Sequence, residues 1–199
     1  MTPKKRVTNI TIPGRDGTLT QSDETYDVFT RETHFVMMDL SKTQEICALY
    51  TDAGDLTFDD EPDKVYKARV VNELNPEWFT PGWRNLTIQF ECQPFARELN
   101  PQTATFMAAG ALYNQGTIKA YPAIKVYGSG DITVTVNGNP FTVKGVTASA
   151  IIDCENMQAY EGSTSLITSG SFPTLTLDKN TVSFAGTSKI EITPHWRWI

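Results

Sequence analysis

The clearest pattern in the chain is alternation. In "LTIQFEC" apolar and polar residues exchange at every step, so Leu86, Ile88, Phe90 and Cys92 face one way and Thr87, Gln89 and Glu91 the other. That is the period of a half-buried antiparallel strand. Ile132, Val134 and Val136, with Thr133 and Thr135 between them, repeat it. "VTNITIPGRDG" predicts a strand closed by turns at Pro13-Gly14 and Asp16-Gly17. The apolar run from Glu32 to Leu40 predicts another strand, buried on both faces if its continuity is taken literally. Helical spacing is convincing once. Ser41 is placed to cap, Ile46, Leu49 and Tyr50 recur at intervals of three and four, and Gly54 serves as a stop. A short helix near 41–53 follows.

"TFDDEPDKVYKARVV" turns through acids into a strand, and "NPEWFTPGWRN", Asn75 to Asn85, reads as a hairpin connection. The regular period lapses around Asn100, which predicts two domains, 1–100 and 101–199. The second reads as all β. Asn137-Gly138 is a type I′ hairpin signal, because both residues tolerate positive φ. "ASAIIDCE", "SFPTLTL", "TVSFAG" and "KIEITPHW" add strands at the short spacing of a sandwich.

Composition agrees with a mainly β fold. Thr, Val, Ile and aromatic residues recur while Ala- and Leu-rich runs are scarce. With 40% hydrophobic and 20% charged residues the chain has enough apolar surface to fold. The net charge of −6 argues against a nucleic-acid grip, which depends on Lys and Arg meeting phosphates. The one basic cluster, Lys4-Lys5-Arg6, is expected to be a solvated tail. Cys47, Cys92 and Cys154 are odd in number and lack a C-x-x-C, which indicates neither a zinc site nor a disulfide framework and suits a reducing compartment. The N-terminus has no apolar core of a signal peptide, and no apolar run approaches the roughly 18 residues of a membrane-spanning helix.

Candidate chemistry is sparse. The two histidines, His34 and His195, sit in an apolar strand and between Pro194 and Trp196, settings of packed or hydrogen-bonded side chains. There is no G-x-S-x-G elbow, no Cys beside an activating base, no P-loop and no dinucleotide fingerprint. Asp55, Asp59, Asp60, Glu61 and Asp63 form an acidic cluster whose spacing fits no EF-hand, and a solvated turn is expected. No catalytic, metal or cofactor residue is therefore assigned. The candidate site is Trp78, Phe79 and Trp83, a loop that could anchor a protein interface, stack on a sugar or fold back on its own sandwich. Trp196 and Trp198 alternate along the last strand, as core residues would.

Phrase order carries further information. "IPGRDGTL", "KVYKARVV", "LTIQFECQPFA", "NQGTIKAYPAIKVYGSGDITVTVNG", "ASAIIDCENMQAY", "GSFPTLTLDKNTVSFAG" and "IEITPHWRWI" follow one another. This series, covering nearly the whole chain, resembles the distal tail protein family (Dit) of long, non-contractile-tailed bacteriophages and their prophages. The resemblance implies an N-terminal ring-forming β domain and a C-terminal galectin-like β-sandwich. In the latter Phe172 and Leu175 would be core, Lys179-Asn180 a turn and Gly186 the approach to the last strand. It implies a structural, non-enzymatic homo-hexamer at the virion tail tip, made in the bacterial cytoplasm, joining the tail tube protein to the tip and host-binding proteins. DNA would pass through without specific binding, and no membrane insertion is implied. Two departures stand out. Only twelve residues precede Pro13, fewer than the family usually has, which would weaken ring closure, and the second half leaves no room for an inserted carbohydrate-binding module. The alternatives are a carbohydrate-binding module using Trp78, Phe79 and Trp83, and, third, a glycosidase using Asp60.

Overall fold

The structure, a computed structural model, describes residues 2–49 and 52–199, the side chain of Phe79 excepted. The chain divides into two compact units between Ala96 and Arg97. It is mainly β, with one short α-helix among the described residues.

The first unit opens with β1 (Lys5–Ile10) and β2 (Leu19–Tyr26), which form a two-stranded sheet of their own. Lys5 and Arg6 pair with Glu24 and Asp27 across this ribbon, so the basic cluster is not a loose tail but half of a hairpin. Next come β3 (Phe29–Met37), a 3-10 turn (Leu40–Lys42) and α1 (Thr43–Leu49), then β4 (Gly54–Phe58), β5 (Glu61–Val70), β6 (Glu77–Thr80) and β7 (Trp83–Cys92). β7 organises the sheet. β3 runs antiparallel along its whole length, from Phe29 opposite Cys92 to Met37 opposite Arg84. On its other side β6 and β5 take its two ends. Leu86, Ile88, Phe90 and Cys92 are buried, as the alternation predicts. Phe58, Tyr66, Phe90 and Phe29 close this core in edge-to-face pairs with centroids 5.7 to 6.0 Å apart.

Three further local expectations fail in this unit. The strand in the run Glu32 to Leu40 is not buried on both faces: Val36 and Met38 are exposed and only Met37 is fully covered. Ser41 does not cap the helical segment. Asp39 does, accepting from the Ser41 N–H at 3.0 Å and hydroxyl at 2.6 Å, because a cap must precede the turn it satisfies. Gly54 opens β4 rather than stopping a helix, and α1 ends at Leu49. Tyr50 lies outside the described residues.

The second unit begins within β8 (Ala96–Glu98). Its further strands are β9 (Ala104–Phe106), β10 (Gly110–Tyr113), β11 (Ala123–Tyr127), β12 (Gly130–Val136), β13 (Asn139–Val146), β14 (Ser149–Asp153), β15 (Gln158–Glu161), β16 (Thr164–Ser165), β17 (Ile167–Gly170), β18 (Lys179–Ala185), β19 (Lys189–Thr193) and β20 (Arg197–Trp198). Two sheets, β10-β18-β12-β13-β17 and β16-β15-β14-β11-β19-β9, enclose one core. Ile124, Val126, Ile132, Val134, Phe141, Val143, Ile152, Ile190 and Ile192 lose essentially all their solvent exposure, each worth about 1.5–3 kcal/mol over an exposed side chain.

Asn137 (φ 51°) and Gly138 (φ 81°) make the expected hairpin turn. Asn137 does more than turn: its amide donates to Asn180 Oδ1 at 2.7 Å and its side-chain oxygen accepts from the Thr181 N–H at 2.9 Å. Asn180, fully buried, also accepts from the Thr176 N–H at 2.8 Å and donates to the Thr176 carbonyl at 2.9 Å. This corrects the expected turn at Lys179-Asn180. Both residues start β18, and the chain reverses one step earlier at Asp178, with φ 65°. "SFPTLTL" is likewise no strand. It crosses the sandwich with a single bridge, Leu175 to Ala120, and Leu175 is buried while Phe172 packs on Phe141 at 4.5 Å. Pro173, which has no N–H, cannot donate to a ladder there. Trp196 is buried and Trp198 packs on the same core.

Candidate assembly surface

The Trp78–Trp83 segment is itself a hairpin rather than a loop. Pro81-Gly82, with Gly82 at φ 89°, supplies the fixed and the positive φ of a tight turn, and β6 and β7 zip up behind it. Trp78 stands opposite Arg84, whose guanidinium lies 4.2 Å from the ring centroid, while Trp83 stands opposite Thr80. Neighbouring positions 83 and 84 point to opposite faces of a strand, so the two tryptophans project from opposite sides of the ribbon. They do not form one stacking platform. Nor do they cap a core, since Trp78 is 70% and Trp83 42% exposed. The Phe79 side chain is outside what the structure describes.

A second exposed apolar feature was not anticipated from the sequence. Between α1, β3 and β7 lies a groove of about 370 Å³ whose walls include Val36, Met38, Ile46, Leu49, Leu86 and Ile88, with Asp39 and Lys42 as its polar residues. α1 buries none of its described residues fully, and Leu49 is 73% exposed. A seven-residue helix is too short to stand alone and needs packing on its apolar side. Among the described residues β3 hydrogen-bonds to no strand but β7, which makes it an edge strand of the sheet. The available sequence signal was the run Phe35 to Met38 beside a helix, read there as burial.

The remaining candidates are structural. Asp60 and Glu61 pair with Arg31, whose guanidinium also sits 3.8 Å from the Phe58 centroid, and Glu61 accepts from Lys64 and Tyr66 at 2.7 Å. Lys64 and Tyr66 hold the Glu61 carboxyl below its ordinary range, and burial with the same hydrogen bond raises the Tyr66 phenol. The acidic turn is thus partly neutralised, and no group of acids, His and Cys among the described residues could hold a metal ion. His34 is exposed and contacts Thr87 Oγ1 at 3.1 Å and Glu32 at 3.2 Å. His195 is half-buried at φ 51°, and desolvation lowers its pKa. Burial raises the thiols of Cys92 and Cys154 to about 11 and about 12, which removes them as nucleophiles. No described helix is long and apolar enough to cross a membrane.

This two-unit architecture has a counterpart among solved structures. The SPP1 Dit (gp 19.1) protein, described as a paradigm of the hub adsorption apparatus in phages infecting Gram-positive bacteria, matches with a TM-score of 0.79. The match covers 100% of this chain and 90% of the SPP1 chain, at 16% identity. The fold is the Dit fold. No protein-family model matches the sequence, and no curated protein matches it. In this chain the first unit of the Dit fold carries two exposed apolar features, the β6–β7 hairpin and the α1 groove.

Proposed function

We propose that the chain is a structural hub protein of a phage tail, acting at the virion tail tip and not as an enzyme. The carrying observation is the likeness to SPP1 Dit along the whole chain. In this reading six copies form a ring between the tail tube protein and the tip and host-binding proteins. The first unit forms the ring, and the second is the galectin-like sandwich. The edge strand β3, the α1 groove and the Trp78–Trp83 hairpin support it, because a lasting interface must bury roughly 1,000 Å² or more and begins with exposed apolar patches of this kind. The net charge of −6 suits a ring that DNA crosses without sticking.

Light scattering across a concentration series tests the reading. A mass near 133 kDa, six times the 22.1 kDa chain, is expected for a closed cyclic assembly, and a monomer at every concentration counts against it. The exposed Trp78 sustains one alternative, a module binding host cell-wall glycans. Trp78→Ala with Trp83→Ala separates the two: assembly weakens under the hub reading, and glycan binding disappears under the other.

A further inference from the structure

Residues 4–25, the β1–β2 ribbon with its connecting turn, are exposed at every position, and within the described residues the ribbon pairs only with itself. A lone two-stranded hairpin is marginal in water, so this arm lacks the packing that would normally hold it. Its two faces differ. Ile10 stands opposite Leu19 on one face, at 40% and 51% exposure, whereas the other pairs a lone Val7 with Ser22 and has Asn9 and Thr20 hydrogen-bonded at 3.1 Å. The six residues of β1 alone extend about 20 Å. At the turn stand Arg15 and Asp16, one charge of each sign.

Resting on the hexamer reading above, we infer that the Ile10–Leu19 face of one copy's arm seats in the α1–β3 groove of the next copy. The arm offers an apolar pair and the groove an apolar wall of Met38, Ile46 and Leu49. The groove's polar pair, Asp39 and Lys42, complements Arg15 and Asp16 sign for sign. Each chain carries one arm and one groove, so a head-to-tail contact satisfies both in every copy and makes a ring where its rotation closes. A reciprocal exchange of arms between two copies would also satisfy both surfaces but would stop at a dimer, and the length of the cross-linked ladder tells the two apart.

The test uses the full chain. Leu19→Asp should raise the concentration for half-assembly about tenfold or more, with the protomer's thermal midpoint unchanged because the side chain is exposed. In parallel, Leu19→Cys with Met38→Cys on a Cys47→Ser background should give, on mild oxidation, a ladder of cross-linked chains up to the hexamer. Either single cysteine should give no species beyond dimer. A hexamer that tolerates Leu19→Asp and yields no ladder overturns the arm contact and leaves the ring standing. Thiol loss without intermolecular bands also overturns it, since the arm then occupies its own groove. A wild-type monomer at all concentrations removes the ring and this contact together.

Discussion

The two units spend their apolar residues differently. Among the described residues the first buries nine apolar side chains and the second eighteen, in stretches of about equal length. The second is a closed two-sheet sandwich whose core contains its own folding energy. The first has a β7-centred sheet, a helix with no fully buried described residue, an edge strand in β3 and an arm exposed at every position from 4 to 25. The contrast separates two uses of hydrophobicity: in one unit it holds the protomer together, in the other it is available for association.

The sharpest way to break that contrast is to strike both units and compare. Phe141→Ala, at a fully buried site packed against Phe172, should cost about 3–5 kcal/mol in chemical denaturation. Asn180→Ala removes a buried side chain that joins Thr176 and Asn137 by several hydrogen bonds and should cost about 1–3 kcal/mol, read the same way. Leu49→Ser, by contrast, should move protomer stability by no more than about 0.5 kcal/mol while lowering the assembled fraction in light scattering. If Leu49→Ser destabilised the protomer as Phe141→Ala does, the division of roles proposed here would be wrong.

A pH series sharpens the picture of the second unit. The Glu161 carboxylate accepts backbone N–H bonds from Thr147, Ala148 and Ser149 at 2.8–3.0 Å, which lower its pKa from 4.5 to about 2. A depressed carboxylate adds stability above its unfolded value, and that stability is lost as pH falls from about 4.5 to about 2. Glu161→Gln should therefore melt below wild type at neutral pH, with the two curves converging towards pH 2. Parallel curves would refute the clamp. The smallest effect is on thiol labelling: the native protein should react with one equivalent of a thiol reagent, at half-exposed Cys47, until denaturant releases Cys92 and Cys154.

Much of the fold was legible because burial in a sheet writes itself as alternation. Leu86 to Cys92, Ile132 to Val136 and the Asn137-Gly138 turn all stand where the pattern put them. What the pattern could not show was which apolar positions lack a cover. Phe35 to Met38 look the same in sequence whether a helix seals them or a groove opens over them, and Tyr50 falls outside the described residues. Asp39 was missed as the cap because Ser41 is an equally good capping residue type and only backbone geometry chooses. In the candidate site, Trp78 and Trp83 were legible as exposed aromatics. Their opposite orientation depends on the register between β6 and β7, which no residue type reveals.

The edge strand β3 gives time a role in the life of this protein. An edge strand of nine residues, with Val36 and Met38 exposed nearby and no proline to interrupt it, is a template on which other strands can pair, correct or not. A protomer waiting for its neighbours is therefore exposed to misassociation for as long as it waits. Yield should depend on how quickly chains meet relative to how quickly they stray. Slow accumulation in isolation would favour aggregates, and a burst of synthesis alongside the proper partners would favour finished particles.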